Sequence, residues 1–268
     1  MTKKIIEVKH LTRKFNGFTA VDNISFEVNE GEIFGFLGPN GAGKTTTISM
    51  LTTLLKPTSG TVRINGYDLK KQKDKVRESL GIVFQEPTLD IELTAYENLS
   101  FHGILYRVDQ KILKERIREV LDLVDLWDRR NLLVKTFSGG MKRRLEIARG
   151  LVHHPKVLFL DEPTLGLDPQ TRKNIWDYVS TLQKREKITI FLTTHYLAEA
   201  ELCGKIAIID KGKIVEIGSP KKLKKKYKKN TVEDIFLSIT GDSIRDKEVS
   251  KEDMYRENMA NRAKKGKF

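Results

Sequence analysis

The sequence has a single cysteine, Cys203, so no disulfide can form within the chain and a reducing compartment is the simpler setting. It has no apolar run approaching the 18 or so residues needed to span a bilayer. Its first ten residues, MTKKIIEVKH, lack the apolar stretch of a signal peptide and read as a short strand. These absences point away from secreted and membrane-spanning classes and toward a cytoplasmic protein. No internal repeat is visible, and no low-complexity linker precedes the lysine run KKLKKKYKK at 221–229. His153 and His154 have no cysteine nearby and precede Pro155, which makes them a loop pair and not a metal site. Trp127, Trp176 and Cys203 are assigned to packing.

What is present describes a globular chain. It has 268 residues, 39% hydrophobic and 32% charged, enough for one large or two small domains with a substantial core. The net charge of +13 is uneven, because residues 219–268 hold 15 basic and 8 acidic side chains. Nucleic acid, anionic lipid or plain solvation each accounts for such a tail.

Short apolar strands alternate with helical patterns, the mark of an α/β sheet. IFGFL (33–37), GIVF (81–84), VLFL (157–160) and ITIFLTT (188–194) are apolar on both faces, as buried parallel strands are. IAIID and KIVEIG flank Lys211-Gly212, which predicts a hairpin at the end of the sheet. Residues 88–137 differ. Within them Ile112, Leu113, Ile117, Val120, Leu121 and Val124 recur at helical spacing, and no convincing strand appears. This stretch reads as a helical subdomain inserted into the α/β core, its apolar stripe turned to packing.

GPNGAGKT follows a predicted strand and precedes a predicted helix, the context that gives the pattern GxxxxGK[ST] its meaning. Gly38, Pro39, Asn40, Gly41, Ala42 and Gly43 form a loop whose backbone N–H groups can wrap phosphates without Cβ clashes. Lys44 is a mobile point charge for the β- and γ-phosphates, and Thr45 offers a hydroxyl to Mg²⁺. Thr46 completes the candidate nucleotide contacts. VLFLDEP then brings Asp161 to the carboxyl edge of the sheet, where it would hold Mg²⁺. Glu162, one residue on, is the candidate for polarising the attacking water. ATP and Mg²⁺ are the implied ligands.

FSGGMKRRLEIARG (137–150) supplies a second glycine-rich helix start, again suited to an anion. With the other motifs in order, residues 4–240 resemble the ATPase subunit of an ABC transporter. The resemblance implies a P-loop NTPase core, mostly parallel and flanked by helices, with an N-terminal antiparallel β subdomain and an inserted α-helical subdomain. It places the ATPase domain at 1–218 and a basic, largely helical extension with a mobile end at 219–268. It further implies that Ser138, Gly139, Gly140 and Met141 complete the nucleotide site of a second copy in a head-to-tail dimer. Met141 stands where the commonest form of that signature has Gln, a variation familiar in drug-resistance exporters.

Other positions carry over one at a time. Phe15 matches the aromatic residue that stacks on adenine, with Phe in place of the usual Tyr. Gln85 matches the residue that contacts Mg²⁺ and the attacking water and reports to the membrane partner. Asp168 matches the loop that communicates across the dimer; unaided, LDP reads as a helix N-cap followed by Pro. His195 matches a histidine that contacts the γ-phosphate.

TVEDIFLSITG (231–241) resembles a C-terminal element of the daunorubicin-resistance type export ATPases. The expected function is therefore ATP hydrolysis that drives an exporter, through a separate membrane-spanning permease and a second ATPase subunit. The protein would sit on the inner face of the cell membrane. The rival is a soluble ATPase of the same family acting on nucleic acid or ribosomes. Its best support is the basic tail, but Tyr227 is the only aromatic inside the lysine run, which disfavours single-strand binding. A P-loop kinase, a third reading, would pass the phosphate to an acceptor.

Overall fold

The computed structural model describes residues 3–194 and 196–241. Two long strands open it, β1 (Lys4–Phe15) and β2 (Phe18–Asn29), paired antiparallel through a tight turn at Gly17, which has φ +74°. β3 (Ile33–Leu37) leads through the phosphate loop into α1 (Lys44–Leu51). β4 (Ser59–Ile64), β5 (Tyr67–Asp68) and α2 (Lys73–Glu78) follow, and β1, β2, β4 and β5 form one antiparallel sheet in the order β2-β1-β4-β5.

The second sheet uses β6 (Leu80–Val83), β7 (Val157–Asp161), β8 (Thr189–Thr194), β9 (Lys205–Asp210) and β10 (Lys213–Gly218) together with β3. Its order is β10-β9-β3-β8-β7-β6, parallel from β9 to β6, with β10 antiparallel at the edge. The β9–β10 hairpin turns at Lys211 (φ +46°) and Gly212 (φ +79°), the two left-handed residues its two-residue loop requires.

Alternation along these strands feeds two cores. Phe34, Phe36, Phe159, Phe191, Ala207 and Ile209 turn to the antiparallel sheet, where Phe26 stacks on Phe34 with centroids 5.5 Å apart. Leu37, Leu158, Leu160, Ile190, Leu192, Ile206 and Ile208 turn the other way, to the helices. Both faces are dry, so these strands read as continuous apolar runs.

Between β6 and β7 the chain forms α3 (Ala95–Leu105), α4 (Gln110–Leu123) and α5 (Gly139–Leu151). Thr94 and Glu97 close a capping box on α3, Asp109 caps α4 and Ser138 caps α5. Leu113, Ile117, Val120, Leu121 and Val124 pack into the core as the spacing predicts, but Ile112 is 49% exposed. α4 buries a narrower stripe than its sequence offers. His153, expected in a plain loop, is half-buried and stacks on Tyr106 at 3.8 Å, next to His102, while its Nε2–H donates to the Leu80 carbonyl at 2.7 Å.

α6 (Pro169–Glu186) precedes β8, and α7 (Leu197–Ala200) follows it. The lysine run is largely α8 (Pro220–Tyr227), anchored by buried Leu223 and by Lys224 and Lys226 pairing with Glu201 and Glu216. α9 (Val232–Thr240) packs Val232, Ile235 and Phe236 into the core. The sequence beyond residue 241, with its expected mobile end, lies outside the described residues. Among the described residues no helix is long and apolar enough to cross a membrane.

Candidate functional site

The site lies at the carboxyl ends of β3, β6 and β7, where an open parallel sheet leaves room for a ligand. Two glycines of the phosphate loop are forced by crowding. A Cβ at Gly38 would stand 2.4 Å from the Ile209 carbonyl oxygen, and one at Gly43, where φ is +109°, would stand 2.6 Å from that of Ala20. Lys44, almost fully buried, donates from Nζ to the Gly38 carbonyl at 2.8 Å and the Pro39 carbonyl at 3.2 Å. Its ammonium also lies 3.8 Å from the Glu162 carboxylate.

Asp161 and Glu162 are consecutive, yet the backbone separates their environments. Asp161 ends β7 and is buried, and its carboxylate accepts a short hydrogen bond from the Thr193 hydroxyl. Burial pushes its pKa above the usual carboxylate value, against the lowering effect of the Thr193 hydroxyl. Glu162 adopts φ +47°, a left-handed conformation that costs a non-glycine residue roughly 1 kcal/mol or more. That turn is held by its N–H, which donates to the carbonyl and hydroxyl oxygens of Thr193, both at 3.1 Å.

A cavity of about 330 Å³ joins the phosphate loop to Glu162. Phe15, Phe18, Ala20, Asn40, Gly41, Gly43, Lys44, Thr45, Thr46, Gln85 and Glu162 line it. Thus Phe15, most of the phosphate loop, Gln85 and Glu162 line one cavity, while Asp161 lies buried outside its lining. Gly38, Pro39 and Ala42 form the back of the loop, with the Ala42 carbonyl accepting from Gly212 N–H at 3.0 Å. Phe15 is 44% exposed at the end of β1, with the Arg13 guanidinium 4.4 Å over its ring. An aromatic face and a buried ammonium line the same cavity, which suits a base joined to phosphates.

Ser138, Gly139, Gly140 and Met141 open α5 away from this cavity's lining. Ser138 Oγ accepts from Met141 N–H at 3.3 Å, and Ser138 and Gly139 are exposed. Asp168 caps α6, accepting from the Thr171 hydroxyl at 2.5 Å and the Thr171 N–H at 2.9 Å, and these hydrogen bonds hold its pKa below the ordinary value. A Cβ at Gly140 would meet Thr171 Cγ2 at 2.6 Å, so the signature and the Asp168 turn are immediate neighbours. His195 lies outside the described residues.

Three residues around the site escape sequence reasoning. Phe18 shares the cavity with Phe15, and its only signal is its place three residues on, across a glycine turn. Arg143 and Glu146 belong to the helix after the signature and are given no role by the sequence, yet both are buried, and Arg143 bonds the backbone at the ends of β6 and β7.

Comparison with known proteins agrees with this geometry. The ABC transporter family model matches residues 21–165. The linearmycin resistance ATP-binding protein LnrL of Bacillus subtilis (strain 168) is 41% identical over 238 residues, covering 88% of this chain and 76% of that protein. The daunorubicin/doxorubicin resistance ATP-binding protein DrrA of Streptomyces peucetius is 44% identical over 230 residues, covering 85% and 69%. Among solved structures, a dimeric ATP-binding cassette in a post-hydrolysis state with ADP and Pi superposes with a TM-score of 0.71 at 27% identity, covering 80% of this chain and 98% of that one. The phosphate loop and the Glu162 carboxylate share one cavity here, within a sequence of this ancestry: the chain belongs to the ABC transporter family, as an ATP-binding and ATP-hydrolysing unit.

Proposed function

We propose that this chain powers an exporter, hydrolysing ATP in a head-to-tail pair of ATPase subunits bound to a separate membrane permease. The observation that carries the reading is the separation of the two glycine-rich helix starts. One lines the cavity with Glu162; the other, at Ser138–Gly140, lies outside that lining, with Ser138 and Gly139 exposed at a helix start suited to an anion held elsewhere. A second subunit's nucleotide fits that role, and hydrolysis would remove the bridge.

In the cavity, Phe15 would stack on the adenine and the loop N–H groups with Lys44 would hold the phosphates. Glu162, turned toward the cavity by its left-handed backbone, would orient water and take its proton. Mg²⁺ fits the donor set, which is all oxygen: the Thr45 hydroxyl, the Asp161 carboxylate and the Gln85 amide. Asp161 is buried at the end of β7, so a divalent ion beside it would favour its ionised form. When bound, Mg²⁺ supplies charge neutralisation at the phosphates. Asp168, beside the signature, would carry contact across the pair, and His195 would contact the γ-phosphate.

The permease would dock on α3, where Phe101, Ile104 and Leu105 are more than half exposed beside the Gln85–Thr88 turn. The protein would then lie on the inner membrane face. The drug-resistance names of LnrL and DrrA favour hydrophobic cargo. The test is isolation of the tagged protein from its native membranes in mild detergent. A stoichiometric polytopic membrane protein supports the export reading, whereas ribosomes or nucleic acid without one replaces it by the soluble reading.

A further inference from the structure

Arg143 lies one turn into α5, after the exposed signature, and is 7% exposed. A guanidinium has five N–H donors, and here each has an acceptor. Nε donates to the Pro163 carbonyl at 2.7 Å. Nη1 donates to the Phe84 carbonyl at 2.6 Å and to Glu146 Oε2 at 2.9 Å. Nη2 donates to the carbonyls of Asp161 at 3.1 Å and Glu162 at 3.2 Å. Glu146 in turn accepts from Thr88 N–H at 2.9 Å through Oε1, and Arg149 donates to the Thr88 carbonyl at 2.6 Å.

One planar side chain therefore joins three segments distant in sequence. These are the helix that begins with the signature, the turn that presents Gln85, and the bend that presents Asp161 and Glu162. Burying a charge this deeply is costly unless it is paired and fully hydrogen-bonded. Simple packing of α5 on the sheet would be served as well by an apolar side chain. The pattern of acceptors selects something narrower, the backbone on either side of the groups that face the cavity.

We infer that Arg143, supported by Glu146, is a positioning residue that locks each subunit's signature to its own Gln85 and Glu162. Engagement of the partner's nucleotide at Ser138–Gly140 then aligns the water-orienting groups of the subunit that carries the signature. The inference rests on the trans placement proposed above. Lysine cannot substitute, because it offers three donors at one point and lacks the rigid fork.

The test compares wild type, Arg143→Lys and the doubly neutral Arg143→Gln/Glu146→Gln, which removes both charges of the buried pair together. Each is measured for ATP binding to the monomer, for steady-state turnover, and, with Glu162→Gln added, for ATP-dependent dimerisation. Monomer binding and dimerisation should stay within about threefold, while turnover falls about 10- to 100-fold, as for a small misplacement of reacting groups. Turnover within threefold of wild type in both variants overturns the inference. So does a loss of turnover matched by an equal loss of monomer binding, which marks a structural role only. If Glu162→Gln alone fails to dimerise with ATP, the trans placement itself is wrong and the inference falls with it.

Discussion

Lys44 is held in place by the same loop it serves, and replacing it should leave two separable marks on thermal stability. In Lys44→Ala the carbonyls of Gly38 and Pro39 lose the ammonium that bonds them at 2.8 and 3.2 Å. Losing bonds from a charged donor at a buried position costs about 1–3 kcal/mol. For a chain of this size that is a fall in Tm of roughly 2–6 °C without nucleotide. The second mark concerns ATP. At a concentration 100 times Kd, a ligand stabilises the wild type by about 2.7 kcal/mol. A charge-assisted bond to phosphate contributes about 1.5–3 kcal/mol, so Kd should rise roughly 10- to 150-fold. At the same ATP concentration the stabilisation then shrinks to about 0.3–1.4 kcal/mol. Thermal unfolding of both proteins, with and without ATP and Mg²⁺, reads the two marks together. An ATP-induced rise in Tm as large in the variant as in wild type would refute the assignment of Lys44 to the phosphates, whatever happened to the unliganded protein.

Glu162→Gln keeps the side chain's shape and removes its basicity, so turnover should fall about 10²- to 10⁴-fold while ATP holds a dimer visible by light scattering. A variant that stays monomeric with saturating ATP and Mg²⁺ would remove the main support for head-to-tail pairing. The stacked ring cluster under α3 predicts a pH effect on folding. Burial pulls the pKa of His102 down to about 3 and of His153 to about 4, below the unfolded value near 6.5. The unfolded chain then binds more protons between those limits, so stability is intact above pH 6.5 and declines as pH falls toward 4. Each ring contributes at most about 1.4 kcal/mol per pH unit, less where solvent screens its edge. His153→Gln, which can still donate to the Leu80 carbonyl, should flatten the decline in Tm; an unchanged slope would exclude His153 as a cause.

Much of this was legible because it depends on local chemistry. The loop after β3 keeps glycine at 38 and 43, where a Cβ would strike a carbonyl of a neighbouring strand. Central strands are apolar on both faces because two cores flank them, and the hairpin at Lys211-Gly212 needs its left-handed pair. Arg143 was illegible for the converse reason. Four of its acceptors are backbone carbonyls, which carry no side-chain signature and come together only through tertiary structure. The stacking of His153 on Tyr106 is hidden in the same way, since the partners meet across α3 and α5. Ile112 shows the limit of periodicity: spacing gives a stripe, and the neighbours decide its width.

The strand order β10-β9-β3-β8-β7-β6 also constrains how the protein is made. β3, which delivers the phosphate loop, lies between β8 and β9, and the Gly31 N–H meets the Thr189 hydroxyl across 158 positions of sequence. A ribosome releases the loop early and its two flanking strands late, so the emerging chain must wait with β3 unpaired. Closing such distant pairs is slow, and unpaired apolar strands are prone to aggregate meanwhile. Nucleotide held by a loop that β8 and β9 flank would bind tightly only after both have docked, which would make ATP a late-acting ligand for folding as well as the fuel of the finished protein.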